Sequence, residues 1–343
     1  MGQPVVVFTD TEDLDPEPGA RLLTDAGFDV RIGDSRDPDV IAALAGDAVA
    51  LIVGYARVDA ALLDRLPRLR IVATMSAGYD MVDTEAARRR GLWVANLPDA
   101  ATEDVAVHAL ASALSLVRRL PRADAVVRSG GWNADFIGAG GELPRRASDL
   151  TLGLVGLGRI ARCFAALAAP VFGRIAAYDP HTGPGPEHWP AGIDRYDDLG
   201  ALVAASDVLS LHVPLTPATH AMVGAELLGR MRPGAFLINV ARGELVDPAA
   251  LLAALDSGRI AGAALDVFPV EPPPADDPLR GHPRIQLSPH SAFLSDTSRR
   301  AYVRKPAENV IAWLRTGRPL TPVVDPTPTT AEPAAVLAEG ATA

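Results

Sequence analysis

The stretch that most constrains this chain covers residues 152–161 and reads LGLVGLGRIA. An apolar, strand-like run enters a turn that contains Gly156 and Gly158, and a helix-like segment then begins. A second strand-like run, residues 175–178, ends at Asp179. A strand, a glycine turn, a helix and an acid about 20 residues further on together form the fingerprint of a dinucleotide-binding site.

Each residue of this fingerprint has a physical reason. Gly156 allows the tight turn, Gly158 lets the backbone approach a pyrophosphate, and the small Ala161 permits close packing of the helix on the strand. Asp179 is suited to accept hydrogen bonds from both ribose hydroxyls of NAD, and it repels the 2′-phosphate of NADP. Glycine turns also connect strands and helices in α/β proteins that bind no nucleotide, so the prediction of an NAD site depends on the whole combination.

Composition narrows the class of protein. The chain has 343 residues, enough for two domains, and it has no apolar run of the roughly 20 residues that a membrane span requires. Its net charge of −10 argues against general nucleic-acid binding. The single cysteine, Cys163, excludes an intrachain disulfide and a multi-cysteine zinc site, and we predict a buried, inert thiol and no metal. The first residues lack a basic segment and a cleavage site, so we expect no signal peptide and a cytoplasmic location.

The first hundred residues are typical of a small α/β unit with a parallel sheet. Residues 5–10, 49–54 and 70–74 read as buried strands, and residues 18–26 and 60–66 read as helices. The third of these strands leads into a turn of small residues, Ser76-Ala77-Gly78. Such a turn offers backbone N–H groups to an anion, although an ordinary strand-to-helix turn is an equal alternative from these residues alone.

The chain then crosses into a second domain. A short strand at 93–96 is followed by a long helix at 105–120 and by an irregular, glycine-rich arm at 128–146, which contains Trp132 and Phe136 and reads as packed against a neighbour. Further strands at 207–212, 235–240, 263–267 and 285–288 bring the second domain to six strands, which predicts a doubly wound sheet. A last helix at 302–316 precedes a Pro/Thr/Ala-rich segment, which is typical of a mobile tail.

Three polar residues follow late strands of that sheet, where ligands usually bind. Arg242 places a permanent cation suited to grip a carboxylate, with an ordinary surface arginine as the alternative. His290 is the side chain type best suited to exchange a proton near neutral pH, although a lone histidine is more often structural. Glu271 could orient that imidazole, or it could simply be exposed among its neighbouring prolines.

Several motifs together resemble the D-isomer-specific 2-hydroxyacid dehydrogenase family. They are the GLGRI run from Gly156, VARG around Arg242, LDVF with the Glu271-Pro272 pair, and SPH ending at His290. The resemblance spans about residues 5–319, and the motifs occur in the order and at the spacing of the family.

The resemblance implies hydride transfer between NAD(H) and C2 of a 2-oxo acid or D-2-hydroxy acid. By position, Arg242 holds the carboxylate and carbonyl oxygen of the substrate, His290 protonates that oxygen, and Glu271 keeps His290 basic and oriented. The backbone of Ser76, Ala77 and Gly78 holds the substrate carboxylate, and Asp266 contacts the nicotinamide carboxamide. The implied cofactor-binding set is Gly156, Gly158, Arg159, Ile160, Asp179, His212, Val213, Pro214, Thr219, Val240, Ala241 and Asp266.

The resemblance also implies an α/β architecture of two doubly wound parallel-sheet domains. A Rossmann NAD-binding domain at 100–290 is inserted into a smaller, flavodoxin-like substrate-binding domain formed by 1–99 and 291–320, and a flexible tail covers 321–343. The helix at 105–120 and the arm with Trp132 match the dimer contact region of the family, so we expect a homodimer.

Departures from the family patterns bear on the substrate. Formate dehydrogenases have glutamine at the position of Glu271, and phosphite dehydrogenase has a lysine in the turn at 75–78, which argues against both substrates. We expect no C-terminal regulatory domain of the phosphoglycerate enzymes. Phe293 resembles the C-terminal-binding-protein branch, in which tryptophan follows the histidine by three, and Phe293 could contact an apolar substrate or pack in the core. Residues that could select the substrate side chain are Tyr55, Arg57, Met75, Tyr79 and Phe293.

The predicted function is therefore an NAD-dependent oxidoreductase that acts mostly as a 2-oxo acid reductase. The alternative is an NAD(H)-sensing, co-repressor-like binding protein with weak turnover, which has no need of all three polar residues. A methyltransferase with the same glycine turn leaves Arg242, Glu271 and His290 unexplained.

Overall fold

The computed structural model describes residues 2–11, 14–132, 143–183, 185 and 188–326. The chain divides into two compact units, of which the first contains Met1–Ala101 and Leu294–Ala343 and the second contains Thr102–Phe293. The second unit is therefore an insertion in the first. The sequence predicts divisions at 99/100 and 290/291.

The first unit is built on a sheet of six described strands in the order β13-β5-β4-β3-β1-β2. All neighbours are parallel except β13, which is antiparallel to β5. Its parallel part has the spatial order 2-1-3-4-5, as in flavodoxin-like folds. The strands are β1 (Val5–Phe8), β2 (Asp29–Ile32), β3 (Ala50–Val53), β4 (Ile71–Thr74), β5 (Trp93–Ala95) and β13 (Pro322–Val324).

Helices cover both faces of this sheet, which is why its central strands are continuous apolar runs. Leu51 and Val72 pack on one face, and Phe8 and Ile52 pack on the other with Trp313. Three of the helices begin after an aspartate whose side chain accepts a backbone N–H of the first turn. The helices are α1 (Glu17–Asp25), α2 (Pro38–Ala45), α3 (Ala60–Asp64), α4 (Thr84–Arg89) and α12 (Asp296–Thr316).

The predicted flexible tail at 321–343 is wrong for its first residues. Pro322 pairs with Ala95 and Val324 pairs with Val94, and Val324 is fully buried. Proline is compatible with an edge strand because no ladder hydrogen bond is required on the outer side, so a proline-rich composition did not exclude a strand here. Residues 327–343 lie outside the described residues.

The second unit is built on a parallel sheet of seven described strands in the order β12-β11-β10-β9-β6-β7-β8. This order contains the doubly wound nucleotide-binding arrangement, which confirms the predicted fold class of two parallel-sheet domains. The sequence predicts six strands, and the seventh is β8, a short and polar edge strand without an apolar run. The strands are β6 (Thr151–Val155), β7 (Arg174–Tyr178), β8 (Asp194–Tyr196), β9 (Val208–Leu211), β10 (Ala235–Asn239), β11 (Ile260–Leu265) and β12 (Ile285–Leu287).

The helix predicted at 105–120 is interrupted at Arg119, which adopts a left-handed conformation between two helices. The predicted arm at 128–146 has its central part, residues 133–142 with Phe136, outside the described residues. No helix in the described ranges has both the length and the apolar character to span a bilayer. The helices of this unit are α5 (Thr102–Arg118), α6 (Leu120–Arg128), α7 (Arg159–Ala168), α8 (Leu199–Ala205), α9 (Ala225–Arg230), α10 (Pro248–Asp256) and α11 (Pro278–Gly281).

Candidate active site

The glycine turn after β6 contains two glycines with different reasons to be glycine. Gly156 has a φ of +91°, and a Cβ there would lie 2.8 Å from the carbonyl oxygen of His212. Gly158 has an ordinary φ of −71°, and a Cβ there would meet no described protein atom within 4 Å. Neither backbone conformation nor protein packing therefore requires a glycine at 158. Its missing side chain leaves open space in front of the backbone, as the approach of a pyrophosphate demands.

Helix α7 starts directly after Gly158 and has no side-chain cap and no acidic residue in its first turn. The N–H groups of a first helical turn have no partner within the helix, and together with the helix dipole they favour an anion. Ala161 is fully buried and packs in the core under this turn. The turn and the helix end therefore fit the phosphates of a dinucleotide.

Asp179 follows β7 and lies beside the glycine turn. One carboxylate oxygen accepts the Leu157 N–H at 2.7 Å, and the other accepts those of His181 and Thr182 at 2.8 and 3.1 Å. Burial raises the pKa of this carboxyl, but the N–H donors outweigh burial, so its pKa lies below the ordinary value. Asp179 is therefore ionised at neutral pH and remains partly exposed beside the turn.

The segment after β9 lines the other side of the turn. The Nε2 atom of His212 lies 2.9 Å from the Ser210 hydroxyl, and burial lowers the pKa of His212 to about 4, so its imidazole is neutral. Thr219 donates its hydroxyl to the Pro214 carbonyl at 2.7 Å and closes the loop that follows. The structure thus places His212 and Val213 against Gly156, while their contact with a cofactor stays a prediction.

Arg242 follows β10 on a loop that a buried asparagine shapes. Asn239 donates its side-chain amide to the Arg242 carbonyl at 2.8 Å and accepts the Ala241 N–H at 3.1 Å. A Cβ on Gly243 would lie only 2.0 Å from the carbonyl carbon of Phe268. Glycine is therefore required after Arg242, because the Arg242 loop packs directly on the loop that leads to Glu271. The sequence motifs assigned no role to Asn239 or to Gly243, although Gly243 ends the VARG motif.

Glu271 and His290 form a close pair. The His290 Nδ1 atom lies 2.6 Å from Glu271 Oε2, and the second carboxylate oxygen accepts the Phe268 N–H at 2.8 Å. A carboxylate only accepts, so Nδ1 of His290 carries a proton in this pair. The Phe293 ring lies edge-on to the imidazole at 6.1 Å between ring centres. The three predicted residues follow strands β10, β11 and β12, which are neighbours in the sheet.

Asp266 organises the loop that carries His290. Its carboxylate is 2% exposed and accepts the Ser291 and Ala292 N–H groups at 3.0 and 2.9 Å. It also accepts the Ser288 hydroxyl, and that hydroxyl lies 3.1 Å from Nε2 of His108 on α5. The sequence motifs assigned no role to Ser288, which begins the SPH motif, or to His108, because these residues are 180 positions apart and no local pattern links them. The predicted contact of Asp266 with nicotinamide stays a prediction.

The predicted anion-binding turn belongs to the first unit. Ser76 donates its hydroxyl to the Gly78 carbonyl at 2.6 Å, Thr74 donates to the Ser76 carbonyl at 3.0 Å, and Asn96 donates its amide to the Ala77 carbonyl at 2.7 Å. These side chains occupy the carbonyl groups of the turn and fix its shape. The N–H groups are the part of the turn that the resemblance assigns to the substrate.

A second loop of the first unit is held by an aspartate that the sequence analysis missed. Asp10 follows β1, is 2% exposed and accepts the N–H groups of Gly54, Tyr55 and Ala56 at 3.2, 2.6 and 3.2 Å. Arg36 stacks over the Tyr55 ring at 4.8 Å. Tyr55 and Tyr79 are partly exposed, whereas Met75 is buried.

Within the described ranges, no group of three or more His, Cys, Asp or Glu residues is arranged to hold a metal ion.

Comparison with known proteins defines the class. The NAD-binding domain of the D-isomer specific 2-hydroxyacid dehydrogenases matches residues 110–292. The glyoxylate reductase of Korarchaeum cryptofilum is 41% identical over 261 residues, which cover 75% of this chain and 77% of that protein. The glyoxylate reductase of Thermofilum pendens is 35% identical over 324 residues, 92% of this chain and 93% of that protein. The chain is thus a nicotinamide-dependent oxidoreductase that transfers hydride between its cofactor and 2-oxo or 2-hydroxy acids.

Solved structures agree with this class. The NADPH-dependent glyoxylate/hydroxypyruvate reductase of Sinorhizobium meliloti, in complex with NADP and malonate, is 34% identical with a TM-score of 0.82, over 96% of this chain and 100% of that one. The D-lactate dehydrogenase of Aquifex aeolicus, complexed with NAD and lactic acid, is 28% identical with a TM-score of 0.83, over 94% of this chain and 100% of that one. The chain belongs to the D-isomer specific 2-hydroxyacid dehydrogenase family, as its motifs predict.

Proposed function

We propose that this chain is an NAD(H)-dependent reductase of small 2-oxo acids of the glyoxylate and hydroxypyruvate class, and a D-2-hydroxyacid dehydrogenase in the reverse direction. The observation that carries the proposal is the 2.6 Å pair of Glu271 and His290 at the end of the sheet that bears the dinucleotide turn. The Korarchaeum and Thermofilum relatives are glyoxylate reductases, which supports a small 2-oxo acid as the substrate.

The choice of NAD rests on Asp179. Its pKa is lowered, so a negative charge stands beside the glycine turn at neutral pH. A carboxylate at this position accepts from the ribose hydroxyls of NAD, and it repels the 2′-phosphate that distinguishes NADP. The Sinorhizobium relative uses NADPH, so this residue is the point at which we expect the two enzymes to differ in function.

His290 acts as the proton donor in the reduction. Bound NADH supplies a hydride to C2 of the 2-oxo acid. His290 gives a proton to the oxygen on C2, so the products are a 2-hydroxy acid and NAD⁺. Glu271 holds Nδ1 of His290, which aims the other ring nitrogen at the substrate.

Arg242 stabilises the charge that develops on the same oxygen and binds the substrate carboxylate. A guanidinium is suited to this because it is permanently charged and forms two parallel hydrogen bonds with a carboxylate. We also propose that the N–H groups of the turn at Ser76, Ala77 and Gly78 bind a substrate carboxylate. The remaining proposed contacts with the cofactor come from Arg159, Ile160, the loop from His212 to Thr219, Val240, Ala241 and Asp266.

The proposal includes a homodimer, formed through α5 and α6. Large apolar side chains on and after these helices are exposed: Val107 by 47%, Leu120 by 55%, Val127 by 53% and Trp132 by 67%. Large apolar side chains that are exposed to solvent in one segment of the chain are typical of a protein interface. Sedimentation should give a dimer for the natural chain and a monomer for Leu120→Glu, and a monomeric natural chain would contradict this part of the proposal. A cytoplasmic location stays a prediction.

The central experiment measures NADH oxidation with glyoxylate, hydroxypyruvate, pyruvate and larger 2-oxo acids. We expect turnover to be highest with glyoxylate and hydroxypyruvate. Arg242→Ala and His290→Ala should each lower kcat/KM by about 10²–10⁴ and leave NADH binding, followed by fluorescence, within about twofold. Retained turnover in both variants would contradict the assigned roles. NADH binding without turnover on any 2-oxo acid would support the sensor alternative.

A further inference from the structure

We propose that His108 and Ser288 are positioning residues for His290, and that they act through the buried carboxylate of Asp266. The inference rests on the proposed role of His290 as proton donor. It adds to the reaction a histidine on helix α5, for which neither the motifs nor the family resemblance supplies a role.

The proton positions in this network follow from its partners. The Asp266 carboxylate already accepts two backbone N–H groups and is buried, so the Ser288 hydroxyl must donate its one proton to it. The Ser288 oxygen can then only accept from Nε2 of His108, at 3.1 Å. The order is therefore His108 N–H to Ser288 O–H to Asp266. His108 donates in this order whether it is neutral or protonated.

The network controls the backbone at His290. His290 has a φ of +49°, in the left-handed region that a non-glycine residue rarely occupies. Such a conformation persists only where surrounding contacts fix it. Asp266 supplies three of those contacts, because it accepts the His290 N–H through its backbone oxygen at 2.7 Å and the Ser291 and Ala292 N–H groups through its carboxylate.

Helix α5 gives His108 a fixed place from which to donate. Ala106 and Ala109 of the same helix are fully buried in the core that also contains Leu154 and Phe164, and they fix the helix there. His108 itself lies 3.9 Å from Asp266 Oδ1, and its side chain is 27% exposed. A donor on a rigid helix fixes the Ser288 rotamer, and the Ser288 hydroxyl then fixes the orientation of the Asp266 carboxylate.

The test uses variants that separate the donor from the volume of the side chain. His108→Gln keeps an N–H donor at the position of Nε2, His108→Leu keeps the volume without a donor, and Ser288→Ala removes the middle of the relay. His282→Gln is the matched control, because the Nε2 atom of His282 also lies near a carboxylate, 3.3 Å from Asp256 Oδ1, but outside this loop.

The first readout is hydrogen exchange of the amides at 290–292 in the protein without added ligands. We expect exchange about tenfold faster in His108→Leu and Ser288→Ala, and within about threefold of the natural chain in His108→Gln and His282→Gln. The second readout is steady-state reduction of glyoxylate. In the same two variants kcat should fall about tenfold, while KM for NADH changes less than about twofold.

Each outcome decides the question. Natural exchange and kcat in His108→Leu would overturn the proposal. Equal losses in the Leu and Gln variants would also overturn it, because the shape of the side chain and not its donor would then matter. If the natural chain reduces no 2-oxo acid but the amides exchange faster in His108→Leu, the proposed function is contradicted and the role of His108 in holding the His290 loop is supported. Failure of this inference can therefore be distinguished from failure of the proposed function.

Discussion

The two units use the same device at the ends of their sheets. Asp10 follows β1 and holds the loop after the neighbouring strand β3, whereas Asp266 follows β11 and holds the loop after the neighbouring strand β12. Both carboxylates are 2% exposed, and both accept several N–H groups from the loop. A buried anion is tolerated at each position because those donors replace the water that it loses.

The two loops differ in what they carry. The loop held by Asp10 carries Tyr55. The partly exposed Arg36 guanidinium lies 3.8 Å from the Asp10 carboxylate. The loop on Asp266 presents His290 in a left-handed conformation and is supported by the hydroxyl of Ser288. The same hydrogen-bonding device therefore holds a loop in one unit and holds the proposed proton donor, His290, in the other. Loss of either aspartate should destabilise the protein, but loss of Asp266 should lower kcat far more than loss of Asp10.

The largest effect is expected for Asp266→Ala. Without the carboxylate the loop of Ser291 and Ala292 loses its acceptor and His290 loses its orientation, so kcat for glyoxylate reduction should fall by about 10² or more. Steady-state kinetics provides the measurement, and Asp266→Asn, which keeps one acceptor oxygen, should show an intermediate loss. A natural kcat in the alanine variant would break the comparison.

Asp10→Ala should cost a similar amount of stability with less effect on turnover. The N–H groups of Gly54, Tyr55 and Ala56 would lose their buried acceptor, so the free energy of unfolding should fall by about 3 kcal/mol in urea titrations. The loss in kcat should be smaller than in Asp266→Ala, and equal losses would show that both loops serve the chemical step.

The strand end after β9 extends the comparison to a buried histidine, His212, whose Nε2 atom contacts the Ser210 hydroxyl. The pKa of His212 is about 4 in the folded chain and near 6.5 when unfolded, so the unfolded chain binds the proton first as pH falls. The neutral, buried imidazole therefore contributes its full stability above about pH 7, and this contribution decreases as the pH falls from about 6.5 to about 4. Between pH 7.5 and 5 the natural chain should lose about 2 kcal/mol more than His212→Gln, measured by urea unfolding at both pH values. Equal losses of stability in the natural chain and in His212→Gln would show that His212 is protonated in the folded chain at pH 5.

The smallest effect is expected for Asp179, which follows β7 and remains partly exposed. Asp179→Ser removes the charge that disfavours the 2′-phosphate, so the ratio of kcat/KM for NADH over NADPH should fall about tenfold or more. The comparison of both cofactors in one assay provides its own control for folding. An unchanged ratio would mean that another residue selects the cofactor.

The parts of this fold that could be predicted from sequence are those whose signals are local. The glycine turn, helix α7 and Asp179 lie within about 30 residues, the usual length of a βαβ unit. Arg242, Glu271 and His290 were found because each lies just after a recognisable apolar strand. By contrast, β8 and β13 were missed because short edge strands need little apolar sequence and are defined by their partners.

The sequence by itself determined the class of cofactor, the family and the three residues proposed for the reaction, since each of these depends on side-chain type at a strand end. Only the tertiary structure decided how those residues are held: Gly243 against Phe268, the Tyr55 loop on Asp10, and His290 on Asp266, Ser288 and His108. The physical reason is that the order of strands in the sheet selects which loops become neighbours. A hydrogen bond between residues 22 or 180 positions apart has no pattern along the chain.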